Sequence, residues 1–539
     1  MSSGLLLLTA AFCTGQCLLV RETVFGNVRG KISTRVPERQ VEEYLGIPYA
    51  SPPIGHLRFK RPQDPMIWEP LVLETTELPP ACPQPYIKYI DFHKPGFMNF
   101  DEDCLYMNIY VPKVDKVALP VLFFIHGGGN AVGMGAMFDG DILAAHGEII
   151  VITFNYRLND LGFYADPSIG IKGNNGLMDQ VLAMKWVNRN IEYFNGDPSK
   201  VTIHGHSAGA IDAALHLLSN LTEGLFRNAI IHSCSPFSIL ALSPCVRTTR
   251  VSAIPEDCIP GTSYVYRDEE QDAINKLIEG GAVHEYLSTN RPVNNWIVVD
   301  GDFLTDSPEY LFTCGNFHAD SVLIMMTRDE SWPLDMSELE EMGERHSLFN
   351  KTAIIEGLAS LFPERPEFKD AIKEELKKWK TLDLSRYPES MVMYSDVVMF
   401  APMMKLADMI VQKKNVYTLS FEYISQNKSG PDWIGVQHGW DLFYVFGLPT
   451  IGHPNFSYTP RDADVSKSTM RIISDFVKEG HWGSYSGLNI YNPERKSYNK
   501  LDYANDHVVL TNEFNFKQPR LSFWYNYLFP SNFTCDISS

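Results

Sequence analysis

The 539-residue sequence lacks the short motifs of several common cofactor and metal sites. It contains no Cys-x-x-Cys pair, which argues against a zinc ribbon or a thioredoxin-like redox site. No Gly-Lys-Ser or Gly-Lys-Thr occurs, and a dinucleotide-binding pattern starting in the glycine run after residue 126 would need glycine where the chain has Val132. Internal repeats and low-complexity linkers are also missing. Loops that cradle phosphates and cysteine-ligated metals therefore have no support in the sequence.

Basic residues are scarce relative to acidic ones. The 46 Lys and Arg residues against 65 Asp and Glu residues leave a net charge of −19. Such a surface repels nucleic acid and anionic lipid, so we expect no nucleic-acid partner. The C-terminal end has neither an apolar tail nor a Lys-Asp-Glu-Leu sequence, and we expect no stable membrane anchor. Hydrophobic residues make up 45% of the chain, which is ample for a large core.

The N-terminal segment is typical of a protein entering the secretory pathway. Residues 4–20 are apolar and include four consecutive leucines. We therefore predict a signal peptide over 1–17 and one domain over 18–539, secreted or held in the secretory-pathway lumen. Because a basic start is missing, a buried first strand or a short anchor helix remains an alternative. Five Asn-x-Ser/Thr sequons are candidate glycosylation sites in such a compartment: Asn220, Asn350, Asn427, Asn455 and Asn532.

Cysteines fit the same compartment. Two pairs bracket short loops and could each close a disulfide: Cys82 with Cys104, and Cys245 with Cys258. Cys234 follows an apolar strand pattern and is interpreted as a buried thiol. Cys535 lies close to the last residue, where an odd cysteine suggests an intermolecular bridge and hence a homodimer. The pairing of Cys314 stays open.

Short apolar runs alternate with helical patterns along the chain. Continuous apolarity is typical of strands that are covered on both faces. Six such runs are predicted as buried strands, at 121–125, 149–154, 201–203, 229–231, 322–326 and 416–419. Helices are predicted at 176–190 and 272–278, and the Lys- and Glu-rich segment 364–382 as a solvated helix face. This order indicates an α/β fold with a large, mainly parallel sheet. The segments 240–315 and 335–400 are more polar and helical, and we expect them to cover the edge of the sheet that carries the functional site.

A Gly-x-Ser-x-Gly pentapeptide spans residues 205–209, directly after the run 201–203. It has the layout of a nucleophile elbow, a tight strand-to-helix turn that exposes the hydroxyl of Ser207. A helix is expected to follow, from residue 208 to 219. Chance alone produces such a pentapeptide in about one of five chains of this length. Its significance depends on the rest of the machinery.

Further elements of an acyl-transfer site are present. His126 is followed by three glycines directly after an apolar strand, and a glycine run lets backbone N–H groups point at a developing oxyanion. His438 lies in a turn after the strand at 416–419, where a general base is expected. Asp329 and Glu330 follow the strand at 322–326, and either carboxylate could orient the histidine.

These segments resemble the type-B carboxylesterases, the family that also contains cholinesterases, juvenile hormone esterases and the non-catalytic neuroligins. The similarity extends from about residue 22 to about residue 530. The segments that carry it are 102–108, 126–129, 155–157, 175–180, 194–198, 205–209, 299–304, 329–330 and 435–438. The resemblance implies an α/β-hydrolase fold, in which helices flank the central sheet and helical insertions cover the active site.

The resemblance also implies a role for individual residues. Ser207 corresponds to the nucleophile, His438 to the general base and Glu330 to the orienting carboxylate. The oxyanion donors correspond to the backbone N–H groups of Gly128, Gly129 and Ala208, and the family disulfides to Cys82–Cys104 and Cys245–Cys258. The implied reaction is hydrolysis of a small-molecule ester, and it requires no cofactor and no metal.

Several residues depart from the family pattern near the expected pocket. Asn130 stands where an aromatic residue commonly follows the glycine run, Ser331 follows the Asp-Glu pair instead of glycine, and Cys234 replaces a glycine. His206 replaces the glutamate of cholinesterases, and no tryptophan lies between residues 83 and 103 to bind a quaternary ammonium group. A choline ester is therefore disfavoured. A non-catalytic adhesion protein and a narrower lipase or hormone esterase remain alternatives.

Overall fold

The computed structural model describes thirteen stretches of the chain. They are residues 19–36, 39–84, 88–238, 241–242, 297–315, 317–330, 355–356, 359, 367–378, 389–428, 435–453, 456–482 and 488–529. Several predictions fall outside them: the signal peptide over 1–17, the helix at 272–278, the pair Cys245–Cys258, Cys535, and the sequons at Asn350, Asn455 and Asn532.

Sixteen strands occur in the described residues. In chain order they are β1 Val20–Arg21, β2 Asn27–Arg29, β3 Lys31–Ile32, β4 Val41–Pro48, β5 Val72–Glu74, β6 Tyr106–Pro112, β7 Leu119–Ile125, β8 Ile150–Phe154, β9 Ala165–Asp166, β10 Ile171–Lys172, β11 Gly196–His206, β12 Asn228–His232, β13 Ser321–Thr327, β14 Asn415–Phe421, β15 Tyr498–Ala504 and β16 His507–Glu513. All six strands predicted from apolar runs are present, as β7, β8, β11, β12, β13 and β14.

Eleven of these strands form one sheet in the order β16-β15-β14-β13-β12-β11-β7-β8-β6-β4-β3. The seven strands from β15 to β8 run parallel, and antiparallel strands complete both edges. The predicted α/β class with a mainly parallel sheet is therefore confirmed. A parallel arrangement matters for the site because the carboxyl ends of neighbouring strands meet at one edge.

Thirteen α-helices have their bounds within the same residues. They are α1 Lys88–His93, α2 Asp141–Gly147, α3 Asn159–Phe163, α4 Asn175–Asn190, α5 Ala208–His216, α6 Pro308–Cys314, α7 Phe368–Lys378, α8 Glu389–Tyr394, α9 Ala401–Ile410, α10 Leu442–Val445, α11 Leu448–Ile451, α12 Pro460–Glu479 and α13 Arg520–Leu528. A π-helical turn, Ser395–Phe400, joins α8 to α9. None of the helices in the described residues is long and apolar enough to cross a bilayer.

The central strands are buried on both faces. In β12, Ala229 and Ile231 point into one hydrophobic cluster, while Ile230 points into the cluster on the opposite side. Every residue of β12 and β13 is buried. This double coverage explains why these strands are continuously apolar in the sequence, since neither face meets water.

Helix α7 has a buried side that its charge-rich sequence did not lead us to predict. The segment is helical, but Phe368, Ile372 and Leu376 lie on one side and are buried. The predicted solvated face is one side of this helix, and the opposite side packs against the core. Spacing of three or four residues between apolar positions is the signal of such an amphipathic helix.

Cysteines behave as the sequence suggested where the structure describes them. Cys82 and Cys104 form a disulfide that closes the loop containing α1. Cys234 is a buried free thiol, and burial raises its pKa to about 12, so it stays protonated at neutral pH. Cys314 is also disulfide-bonded.

Candidate active site

The turn between β11 and α5 holds Ser207 in an unusual backbone conformation. Its φ is 57° and its ψ is −122°, a region that residues with a side chain rarely adopt and that costs about 1–3 kcal/mol. The backbone N–H of Ser207 donates to the carbonyl of His232 at 2.8 Å, which anchors the turn on the neighbouring strand β12. Ser207 is partly exposed although the residues on either side of it are buried. The turn therefore presents the hydroxyl at the carboxyl ends of the parallel strands.

The two glycines that flank this turn are required by close packing. A Cβ at Gly205 would lie 1.8 Å from the carbonyl oxygen of Gly209. A Cβ at Gly209 would lie 2.2 Å from the carbonyl oxygen of Ile125 at the end of β7. Any side chain at either position would displace the helix from the sheet, so the pentapeptide is a consequence of sterics.

Three of the predicted site residues form a continuous hydrogen-bonded chain. The hydroxyl of Ser207 lies 2.9 Å from Nε2 of His438, to which it can donate. On the other side of the ring, Nδ1–H of His438 donates to Oε2 of Glu330 at 2.6 Å. His438 and Glu330 are both buried. A hydroxyl, a base and an acceptor for the base are thus aligned in the order that nucleophilic catalysis needs.

The carboxylate of Glu330 is held in its ionised form. Burial alone would raise its pKa, but the neighbouring His438, a hydrogen bond from the hydroxyl of Ser233 and one from the Thr327 backbone N–H at 2.7 Å outweigh burial. The pKa of Glu330 therefore lies below its ordinary value. An ionised carboxylate here stabilises a positive charge on the imidazole of His438.

Glu330 and Asp329 were nearly equivalent candidates in the sequence, and the structure separates them. Oδ2 of Asp329 accepts a hydrogen bond from the backbone N–H of Val436 at 2.7 Å and from Nε of Arg328 at 2.8 Å. Asp329 thus ties the loop that precedes His438, whereas Glu330 contacts the ring itself. The backbone makes this possible because Glu330 turns with a φ of 33°.

The glycine run lies beside Ser207. Strands β7 and β11 are parallel neighbours, with Ile125 opposite Gly205, so the residues after both strands meet. Gly128 and Gly129 adopt φ values of 114° and 66°. A Cβ at Gly128 would lie 2.0 Å from the carbonyl oxygen of Val132. The backbone of this loop can therefore adopt its conformation only with glycine.

Comparison with known proteins places this arrangement in a family. A model of the carboxylesterase family matches residues 18–524. The chain belongs to the carboxylesterase family. Neuroligin-2 of Mus musculus is 32% identical over 516 residues, covering 86% of this chain and 60% of that protein. Acetylcholinesterase of Bungarus fasciatus is 32% identical over 489 residues, covering 85% of this chain and 78% of that protein. Neuroligin-3 of Mus musculus is 29% identical over 517 residues, covering 85% of this chain and 61% of that protein. The chain thus spans about 60% of the length of these neuroligins.

This carboxylesterase-family member has a second series of buried hydrogen bonds, next to the one that ends at Ser207, which sequence reasoning missed. Nε2 of His232 lies 2.7 Å from Oδ2 of Asp441, and its Nδ1 lies 3.1 Å from Nε2 of His204. The ring of His206 packs between His232 and His438, with ring centroids 4.9 Å and 4.8 Å away. Burial and the neighbouring imidazoles lower the pKa of His206 well below its ordinary value. This residue therefore adds no charge beside the base at neutral pH.

Two of the predicted glycosylation sites lie in the described residues. Asn220 and Asn427 are exposed, as a glycan acceptor has to be. Within the described ranges, no cluster of three His, Cys, Asp or Glu side chains has the geometry to hold a metal ion.

Ser233 and Thr327, which donate hydrogen bonds to Glu330, were also missed by sequence reasoning. Both lie at the carboxyl ends of strands adjacent in the sheet, and that position was the available signal.

Substitution of Gly128 by alanine tests the glycine loop. In an assay of ester hydrolysis, we expect Gly128→Ala to lower kcat by about 10²-fold or more, because the loop would have to shift together with a backbone N–H that is predicted as an oxyanion donor. Gly96→Ala is the matched control: Gly96 also has positive φ, at 75°, but a Cβ there meets nothing within 4 Å. Steady-state kinetics and thermal unfolding of both variants provide the measurement. Equal kcat values for the two variants would contradict this role of the loop.

Proposed function

We propose that this chain is a secreted serine hydrolase that cleaves carboxylic esters through an acyl-enzyme. The observation that carries the proposal is the uninterrupted hydrogen-bonded chain from Ser207 through His438 to Glu330. The strained turn at Ser207 and the glycine run beside it support the same chemistry. Membership of the carboxylesterase family is consistent with it but does not decide catalysis, since fold alone does not determine function.

In the first step, Ser207 attacks the ester carbonyl while Nε2 of His438 accepts its proton. Glu330 stabilises the imidazolium that forms, because its carboxylate is ionised and accepts the Nδ1 hydrogen bond. The backbone N–H groups of Gly128, Gly129 and Ala208 stabilise the oxyanion of the tetrahedral intermediate. Collapse of this intermediate transfers the proton from His438 to the leaving alcohol and leaves an acyl group on Ser207.

In the second step, water replaces the alcohol. His438 removes a proton from the water, the hydroxide attacks the acyl carbonyl, and Ser207 leaves with the proton from His438. Atoms balance without an oxidant, a metal or a cofactor. The physiological substrate class is a small carboxylic ester, and the absence of tryptophan between Cys82 and Cys104 disfavours a choline ester despite the similarity to an acetylcholinesterase.

A second function is supported by the similarity to neuroligins, which is as strong as the similarity to acetylcholinesterase. In this alternative the domain is a non-catalytic adhesion protein whose partners are other proteins. Against it, all three positions of the proposed triad carry reactive side chains in hydrogen-bonding geometry. We therefore favour the esterase. Secretion and a homodimer bridged through Cys535 belong to the same proposal.

Hydrolysis of 4-nitrophenyl esters tests the function. Purified protein should hydrolyse short-chain esters, and a series of increasing acyl length would distinguish a general esterase from a lipase-like or hormone esterase. We expect a rate that saturates with substrate and exceeds the buffer reaction by orders of magnitude. If no ester in the series is turned over faster than in buffer, the adhesion alternative replaces the esterase.

A further inference from the structure

Asn130 closes the glycine run with a buried polar side chain. It adopts a left-handed backbone with φ of 56°, and it is 3% exposed. Its carbonyl oxygen accepts the backbone N–H of Asn159 at 2.7 Å. Its Oδ1 lies 3.1 Å from the hydroxyl of Tyr156, which also reaches the carbonyl oxygen of His126 at 2.8 Å. The hydroxyl of Tyr156 therefore lies within hydrogen-bonding distance of both ends of the glycine run, and its single proton can be donated to either.

The amide of Asn130 also reaches helix α5. Its Nδ2 donates to Oδ1 of Asp212 at 3.2 Å, and Asp212 lies one turn after Ala208 on that helix. Nε2 of Gln180, on α4, donates to the second oxygen of Asp212 at 2.6 Å. His216 completes the network by contacting Oε1 of Gln180 at 2.8 Å. A buried polar network thus runs from α4 through α5 to the glycine loop.

The proposed oxyanion donors lie on two different elements of the fold. Gly128 and Gly129 belong to the loop after β7, whereas Ala208 belongs to α5, so the three N–H groups converge only if the loop is held against the helix. We infer that Asn130 and Asp212 are positioning residues whose side-chain contact fixes the oxyanion loop against α5. The inference rests on the proposed esterase function.

Asp212 can maintain the contact in both of its protonation states. Burial raises the pKa of Asp212 to about 7, although the hydrogen bonds from Gln180 and Asn130 lower it. When ionised, Asp212 accepts from both amides. When protonated, it can donate to Oδ1 of Asn130, whose Nδ2 then donates to Tyr156 while Tyr156 donates to the carbonyl of His126. Asp212→Asn reproduces this second arrangement, because its amide N–H takes the place of the acid hydroxyl.

Groups that surround Asp212 do not titrate near neutral pH. Burial is the first cause for each: it raises the pKa of Tyr156 well above its ordinary value and that of Cys234 to about 12. It lowers the pKa of His216, which contacts Asp212 through Gln180, to about 3. A change near pH 7 that disappears in Asp212→Asn can therefore be assigned to Asp212 among these groups.

Kinetics of four single variants of the full chain test the inference with a short-chain 4-nitrophenyl ester. Asn130→Ala and Asp212→Ala should lower kcat about 10- to 100-fold with little change in KM, since the donors are misplaced for the transition state. The double variant should lose no more than either single variant, because both remove one contact. Asp212→Asn should keep kcat within about threefold of the wild type. Asp462→Ala, which removes a buried carboxylate from the N-terminal cap of α12, is the control for lost stability alone.

Thermal unfolding of wild type and Asp212→Asn supplies a readout that needs no activity. The folded chain binds the Asp212 proton more tightly than the unfolded chain, in which an aspartate has a pKa of about 3.9. The wild type should therefore lose stability relative to Asp212→Asn as the pH rises from about 4 to about 7.

The outcomes are distinguishable. A wild type that hydrolyses no ester contradicts the proposed function, and the positioning role falls with it. An active wild type with unchanged kcat in Asn130→Ala and Asp212→Ala overturns the inference alone. The same holds if Asp212→Asn falls as far as Asp212→Ala, or if Asp462→Ala loses as much kcat.

Discussion

Ser207→Ala, His438→Ala and the double variant should each lower kcat by about 10⁶-fold, to a common residual rate. The reason is that Ser207 and His438 act in one step: the hydroxyl at 2.9 Å from Nε2 becomes nucleophilic only as the ring takes its proton. Removing either one removes the step, so the second substitution has nothing further to remove. The measurement is kcat for a short-chain 4-nitrophenyl ester with all three variants.

Thermal unfolding is the control for this prediction, because Ser207 is a small side chain at a strained turn and alanine leaves the packing of β11 and α5 intact. Losses that multiply in the double variant would contradict the shared step, since multiplication means that the two side chains act independently. A residual rate well above the buffer reaction is still expected in every variant, because the oxyanion donors remain.

Glu330→Gln should lower kcat by about 10⁴-fold with little change in KM. Glutamine keeps the size of the side chain but removes the charge that stabilises the His438 imidazolium, and its amide can turn an N–H toward Nδ1 and favour the wrong tautomer. Glu330 is fully buried and accepts hydrogen bonds from Ser233 and Thr327, so water cannot reach the position of the carboxylate and stabilise the imidazolium in its place. Steady-state kinetics across pH would measure the loss.

Asp329→Asn is the matched control. The residue is adjacent in sequence and undergoes the same chemical change, but its carboxylate binds the backbone of Val436 instead of the ring of His438. We expect a loss of less than about tenfold. Equal losses for the two variants, or a larger loss for Asp329→Asn, would show that Glu330 is not the orienting carboxylate.

Much of the fold could be predicted from the sequence because burial on both faces leaves a clear pattern. The central strands β12 and β13 each have an uninterrupted apolar run between polar end residues, and both were predicted within a few positions. The edges were missed for a physical reason. Strand β6 carries a buried Asn108, whose side chain binds Gly46 and Thr153, and β16 is only half-buried. Neither produces the continuous apolar run of a covered strand.

The proposed site was accessible to sequence reasoning where steric rules restrict residue type. Gly205 and Gly209 leave no room for a Cβ, and Gly128 must adopt positive φ, so these glycines mark the turn and the loop. Glu330 could not be separated from Asp329, because the direction of a side chain after a strand depends on a local φ of 33° that no pattern encodes. The contact of Asn130 with Asp212 joins residues that are 82 positions apart, and composition gives no sign of it.

Labelling with a fluorophosphonate probe tests the nucleophile most directly. The probe reacts with a serine only when a base and an oxyanion site activate it, and mass spectrometry of the digested protein locates the adduct. We predict one stoichiometric adduct on Ser207 in the wild type and none in Ser207→Ala. A wild-type protein that takes no label, or a Ser207→Ala variant that labels equally well, would contradict the assignment of this chain as a serine esterase.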